Sequence, residues 1–131
     1  MTKLIHSMIR VTDLQRSIDF YHRTLDLNIA GRFDLDTFTL VYLSNDESEF
    51  ELELTCNHNR TEPYSHGDGY GHLGVSVNDA GKHHDKLTRQ GLRPSDLTEY
   101  IRDGVLISRF FFVTDPDGYK IEFLQRCGRF N

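Results

Sequence analysis

The sequence predicts an α+β fold in which one βαβββ module is used twice, and three observations carry that prediction. The layout around His6 recurs around His72: each histidine opens an alternating segment, an aspartate follows seven residues later at Asp13 and Asp79, and another stands six beyond, at Asp19 and Asp85. In each half the apolar residues alternate, then recur at helical spacing, then alternate again through three segments. Residues 58–69 are polar, hold Pro63, Gly67 and Gly69, and form the one convincing boundary. Module one is thus expected over about 4–57, the connector over about 58–69 and module two over about 70–127, within a single domain, 1–131.

Residues 4–11 read as the first strand, with Ile5, Ser7, Ile9 and Val11 on one face and His6, Met8 and Arg10 on the other. Asp13 is a good N-cap, and Leu14, Ile18, Tyr21 and Leu25 recur behind it, so a helix over 13–25 covers the apolar face. Gly31 lies just beyond. Phe33 leads a short strand, Thr37 to Leu43 reads as the next, and 44–48 is a polar turn. The strand from Phe50 to Asn57 closes the module, with Leu52, Leu54 and Cys56 sharing a face and Glu51, Glu53, Thr55 and Asn57 opposite.

Module two opens with Leu73, Val75 and Val77 on one face and His72, Gly74 and Ser76 on the other. Asn78 or Asp79 caps a helix to about Gln90, and Gly91 stands where a C-terminal glycine belongs. Strands are expected at 93–99 and 105–114, the second holding Phe110, Phe111 and Phe112 as core, with one of them suited to line a cleft. Asp115-Pro116-Asp117-Gly118 is a strong turn signal. From Tyr119 to Gln125 the last strand puts Tyr119, Ile121 and Phe123 on one face and Lys120, Glu122 and Leu124 on the other.

Composition narrows the function classes. The formal charge is -5 and the cationic residues are scattered, so there is no footprint for nucleic acid or a membrane surface. A small molecule is the better default. Two cysteines, Cys56 and Cys127, are too few for a disulfide framework and lack zinc-knuckle spacing, so they read as reduced thiols in a soluble cytoplasmic protein. No signal-peptide core or spanning apolar run is present.

The histidines His6 and His72 are 66 residues apart and the glutamates Glu53 and Glu122 are 69 apart. Each module thus supplies one histidine from its first strand and one glutamate from its last, on the face away from the apolar stripe. A strand histidine ordinarily satisfies a local hydrogen bond, and a strand glutamate ordinarily meets solvent. Repetition in register is what lifts these four above that background. Two imidazoles and two carboxylates suit a borderline divalent ion, Ni²⁺, Co²⁺, Zn²⁺, Mn²⁺ or Fe²⁺, with positions left for water or substrate. His22, His58, His66, His83 and His84 read as structural or solvent-exposed.

Segments His6-Ser7-Met8-Ile9-Arg10-Val11, Asp13 to Tyr21, Glu53-Leu54-Thr55-Cys56-Asn57, Tyr70-Gly71-His72 and Asp115 to Glu122 together resemble bacterial glyoxalase I, the lactoylglutathione lyases of the vicinal oxygen chelate superfamily. The resemblance implies the glyoxalase/bleomycin-resistance/dioxygenase fold and a homodimer in which His6 and Glu53 of one chain meet His72 and Glu122 of its partner. It further implies isomerisation of the hemithioacetal of methylglyoxal and glutathione, or another thiol, to the S-2-hydroxyacyl thioester. Glu122 would be the main base, and Glu53 a ligand and second proton carrier. Arg10, Asn57 and, by a looser match, Arg102 and Arg109 would hold the thiol ligand. Some longer members carry an arginine four residues before the second histidine; Asp68 stands there instead, which leaves the thiol's identity open.

Other activities share the superfamily: acyl-CoA epimerases, extradiol dioxygenases, fosfomycin-modifying transferases and metal-free binding proteins. Fold alone therefore decides nothing about activity. The dioxygenases and fosfomycin enzymes typically use two histidines and one glutamate, so a carboxylate at Glu53 separates this chain from them. The epimerases lie nearer in chemistry, yet the segment from Glu53 to Asn57 resembles glyoxalase more. The chain is short and lacks the extra segments of zinc-type members, so it resembles the nickel or cobalt class, with zinc also compatible with the ligand types.

Overall fold

The computed structural model describes all residues, 1–131, and the chain falls into two units, Met1–His66 and Gly67–Asn131. The first unit runs β1 (His6–Arg10), α1 (Leu14–Leu25), β2 (Asn28–Asp34), β3 (Phe38–Asn45) and β4 (Ser48–Asn57). Its sheet has the order β1-β4-β3-β2, with β1 parallel to β4 and the other pairs antiparallel. The helix is what allows the parallel pair, because it carries the chain back across the sheet between strands that point the same way.

Helix α1 begins where the sequence says it should. Asp13 is extended, and its carboxylate accepts the Arg16 backbone N–H at 3.1 Å, satisfying one of the free donors of the first turn. The helix stops at Asp26, whose backbone is left-handed at φ 55° and whose N–H returns to the His22 carbonyl at 3.1 Å. An aspartate tolerates that conformation better than most side chains. Strand β2 therefore starts at Asn28, sooner than Phe33, and Gly31 lies within it at a β-bulge. Ile9, Val11, Val41, Leu43, Leu52 and Leu54 form the buried face of the sheet, and α1 contributes Ile18 and Tyr21 to the core.

The second unit repeats the plan with β5 (His72–Val77), α2 (Ala80–Arg89), β6 (Thr98–Arg102), β7 (Val105–Thr114) and β8 (Lys120–Gln125), in the order β5-β8-β7-β6. Asp79 caps α2 by accepting the Lys82 N–H at 3.1 Å. At the other end Gly91, at φ 85°, donates to the Thr88 carbonyl while Leu92 donates to Leu87, a Schellman closure that needs a residue without a Cβ penalty.

Strand β6 begins at Thr98, later than the expected 93. Ser95 explains the shift: its N–H bonds the Phe112 carbonyl at 2.8 Å, its hydroxyl accepts the Phe112 N–H at 2.7 Å, and His84 Nε2 holds its carbonyl at 2.9 Å. The segment before Thr98 is thus tied to β7 and α2 by a side chain and joins no ladder. Asp103 and Gly104, both at positive φ, then make the tight turn into β7. The Asp115 turn forms as expected, and its buried carboxylate accepts the N–H groups of both Asp117 and Tyr119. Of the three phenylalanines only Phe111 is core, stacked on Phe123 at 4.8 Å and 4°; alternation sends Phe110 and Phe112 to the opposite face. No helix is long and apolar enough to cross a membrane.

Candidate metal centre

Parallel pairing explains why each histidine meets its glutamate. Between β1 and β4, His6 stands beside Glu51 and Met8 beside Glu53; between β5 and β8, His72 stands beside Lys120 and Gly74 beside Glu122. In both units the glutamate is two residues along from the histidine's partner, and a two-residue step returns a side chain to the same face. The functional atoms then converge. His6 Nε2 lies 3.0 Å from Glu53 Oε2, and His72 Nε2 lies 3.6 Å from Glu122 Oε1.

The surroundings of the two pairs differ. Opposite Glu53 in the β3–β4 ladder stands Tyr42, whose hydroxyl donates to Glu53 Oε1 at 3.1 Å. The Tyr42 ring meets the His6 ring edge-on at 5.8 Å and the Phe33 ring at 6.2 Å. Desolvation first, then the hydrogen bond to Glu53 and the charges of Glu53 and Glu51, hold the Tyr42 phenol above the usual tyrosine range, so it stays a donor at neutral pH. Opposite Glu122 stands Phe112, its ring edge-on to His72 at 5.2 Å, and it has no donor to offer.

The spacing within each pair suits two adjacent donors of a divalent cation. An imidazole nitrogen and a carboxylate oxygen each bind such an ion at about 2.0–2.2 Å, which puts neighbouring donors about 3 Å apart at a right angle and slightly more at a tetrahedral one. The observed 3.0 and 3.6 Å fall around that range. No three of the chain's His, Cys, Asp and Glu side chains are gathered closely enough to hold a metal ion.

The remaining sequence candidates are placed as follows. Arg10 closes β1 on the same face as His6, beside Thr55. Asn57 ends β4, and its amide donates to the Tyr64 hydroxyl at 2.9 Å; Arg60 in turn lies over the Tyr64 ring at 4.2 Å. Arg102 is exposed at the β6–β7 hairpin, beside Val105, whereas Glu122 pairs with Phe112 toward the far end of β7. Arg109 is held by Glu99 at 2.5 and 2.9 Å.

His22, His58, His83 and His84 have local partners. His58 bonds the Thr39 hydroxyl at 2.8 Å and the Asp36 carbonyl at 3.2 Å. His22 reaches the Leu27 carbonyl, and His83 and His84 pack on Phe123 and Phe111. Sequence reading missed Tyr42 and Tyr64, and it left open which of Phe110, Phe111 and Phe112 lines the site. Strand alternation could have flagged Tyr42 and Phe112 as ring neighbours of a ligand face, but not their register.

Comparisons with known proteins converge on one family. The model of the Glyoxalase/Bleomycin resistance protein/Dioxygenase superfamily matches residues 3–123. A lactoylglutathione lyase of Neisseria meningitidis is 39% identical over 128 residues, covering 95% of this chain and 91% of that protein. Among solved structures, the trypanothione-dependent glyoxalase I of Leishmania major superposes with a TM-score of 0.76 at 34% identity, over 95% of this chain and 87% of that one. Glyoxalase I of Zea mays gives 0.82 at 26% identity, over 96% of this chain and 45% of that longer one.

Proposed function

The chain belongs to the Glyoxalase/Bleomycin resistance protein/Dioxygenase superfamily, and on that premise we propose that it is a metal-dependent lactoylglutathione lyase, a glyoxalase I. The single observation that carries the reading is the imidazole–carboxylate pair set twice at the same register, His6 with Glu53 and His72 with Glu122. Its substrate is the hemithioacetal of methylglyoxal and glutathione, and its product S-lactoylglutathione.

The ligand set of the reading is His6, Glu53, His72 and Glu122. Each unit holds one pair, and the family resemblance supports completing the site by pairing module one of one subunit with module two of another in a homodimer. Ni²⁺ or Co²⁺ is favoured and Zn²⁺ is compatible with the same donors. The cation, when bound, stabilises negative charge on the substrate oxygens.

The chain's own residues do the rest. Glu122 takes the proton from the carbon that carries sulfur and delivers it to the neighbouring carbon, while the hydroxyl proton passes from the oxygen on the sulfur-bearing carbon to the former ketone oxygen, so the aldehyde-derived carbon becomes a thioester carbonyl and the ketone a hydroxyl. Atoms and electrons balance within the substrate. The two imidazoles anchor the site, each through a ring nitrogen. Phe110 and Phe112 present an apolar wall on the side of His72, which keeps water from competing for the proton. The Arg10 guanidinium offers a fork to a glutathione carboxylate, Asn57 an amide, and Arg102 a further cation for the thiol's far end. Two free cysteines accord with a reducing, cytoplasmic setting.

The test follows thioester formation from methylglyoxal with glutathione, and with other low-molecular-weight thiols, after loading Ni²⁺ or Zn²⁺ separately. Glu122→Gln should retain metal and lose kcat by about 100-fold or more. A purified protein that takes up none of Ni²⁺, Co²⁺ or Zn²⁺ refutes the reading, and unchanged turnover in Glu122→Gln removes Glu122 from its role.

A further inference from the structure

We propose that Tyr42 is a positioning residue that divides the work between the two glutamates, fixing Glu53 as the carboxylate that holds and leaving Glu122 as the one that moves protons. The inference rests on the metal-dependent reading above and adds a residue and a division of labour to it.

Both oxygens of Glu53 are committed: Oε1 accepts the Tyr42 hydroxyl at 3.1 Å, and Oε2 faces His6 Nε2 at 3.0 Å. A carboxylate engaged at both ends cannot turn toward a substrate carbon without giving up one partner, and a charge-assisted bond is among the stronger ones to give up. Tyr42 is itself steadied by its edge contacts with His6 and Phe33, so the donor is held where the acceptor needs it.

At the corresponding register of the second unit the donor is missing. Phe112 pairs with Glu122 as Tyr42 pairs with Glu53, and the one polar neighbour of the Glu122 carboxylate is His72 Nε2, at 3.6 Å, beyond hydrogen-bond range. Glu122 therefore has an oxygen and a torsion at liberty, which a proton carrier between adjacent carbons requires. A hydroxyl is present on Tyr42, the ladder partner of Glu53, and absent from Phe112, the ladder partner of Glu122.

Two variants test this, each read by Ni²⁺ titration calorimetry, by the visible spectrum of the Co²⁺ form and by steady-state kinetics, with a melting curve as folding control. Tyr42→Phe should bind Ni²⁺ about 10-fold more weakly and shift the Co²⁺ bands, because removing an outer hydrogen bond to a ligand costs on that order. Phe112→Tyr should bind Ni²⁺ as tightly as the parent or more so, with KM within about twofold and kcat lowered about 10-fold, the reverse of the first pattern. A structural role alone predicts a lower melting temperature with no such split.

Tyr42→Phe deletes one oxygen from a partly exposed ring, so it decides the matter even where Phe112→Tyr fails to fold. If the parent binds Ni²⁺ and turns over while Tyr42→Phe keeps its Ni²⁺ affinity within about twofold, the inference is overturned and the function stands. A parent that binds no metal overturns the function first, and the inference with it.

Discussion

Sharing of the site between subunits can be tested by complementation between two inactive proteins. His6→Ala removes a donor from the module-one pair and His72→Ala one from the module-two pair, so a homodimer of either variant has only three-donor sites. Removing a donor should lower metal affinity by well over 10-fold, since losing even an outer partner costs that much. Folding should survive: the two side chains are 36% and 43% exposed, and each ring has one aromatic edge contact, so the stability cost is about 1 kcal/mol or less. When the variants are unfolded, mixed in equal amounts and refolded, about half the dimers are mixed. Each mixed dimer has one site missing both histidines and one site intact, which returns about a quarter of parental activity per chain. Plotted against mixing ratio, turnover should rise from near zero at either end to a maximum at equal proportions. No activity above the separate variants at any ratio, with both variants folded and dimeric, would refute the shared site.

Other predictions concern metal, core and pH. Removing the metal with a chelator should lower the melting temperature, because an ion that binds only the folded dimer at about 100 times its Kd contributes about 2.7 kcal/mol, and adding Ni²⁺ back should restore it in a calorimetric scan. Phe111→Ala removes a fully buried ring stacked on Phe123 and should cost about 3–5 kcal/mol in denaturant unfolding, with the loss seated in the second unit. Asp34, held below the usual carboxylate range first by its hydrogen bonds to Arg32 and Thr39, binds protons less readily folded than unfolded. Its contribution is thus present above the usual range and lost as pH falls through the lowered value, and Arg32→Gln should move its carboxyl-carbon NMR titration back upward.

The two half-sites could be found from sequence because everything that builds them is local or periodic. Alternation puts His6 and Arg10 on the face of their strand away from the apolar stripe and Glu53 and Asn57 on the corresponding face of theirs, and the repeat does the same for His72 and Glu122. A parallel βαβ-type crossing then needs only to bring first and last strands together. Capping was equally legible: Asp13 and Asp79 accept the expected backbone N–H groups because a short carboxylate before a helix has few better partners. Where a side chain overrode the local signal, the reading slipped. Asp26 adopts a left-handed backbone that usually belongs to glycine, and Ser95 ties residues near 95 to Phe112 across a long sequence gap, so β2 starts early and β6 late.

Tyr42 shows a different kind of limit. The polar turn after β3 closes on Asn45 opposite Ser48, and a plain hairpin continued from that pair would place Tyr42 beside Glu51. The ladder is instead irregular between Leu43 and Asn45, which moves the register by two residues and sets Tyr42 beside Glu53. A two-residue step keeps every side chain on its face, so the hydrophobic pattern is equally satisfied by both registers and cannot choose between them. What the irregularity changes is which glutamate receives the phenol. At the matching place β7 runs into β8 through the Asp115 turn and delivers Phe112 to Glu122, so register, which periodicity leaves open, sets a phenol beside one glutamate and a bare ring beside the other.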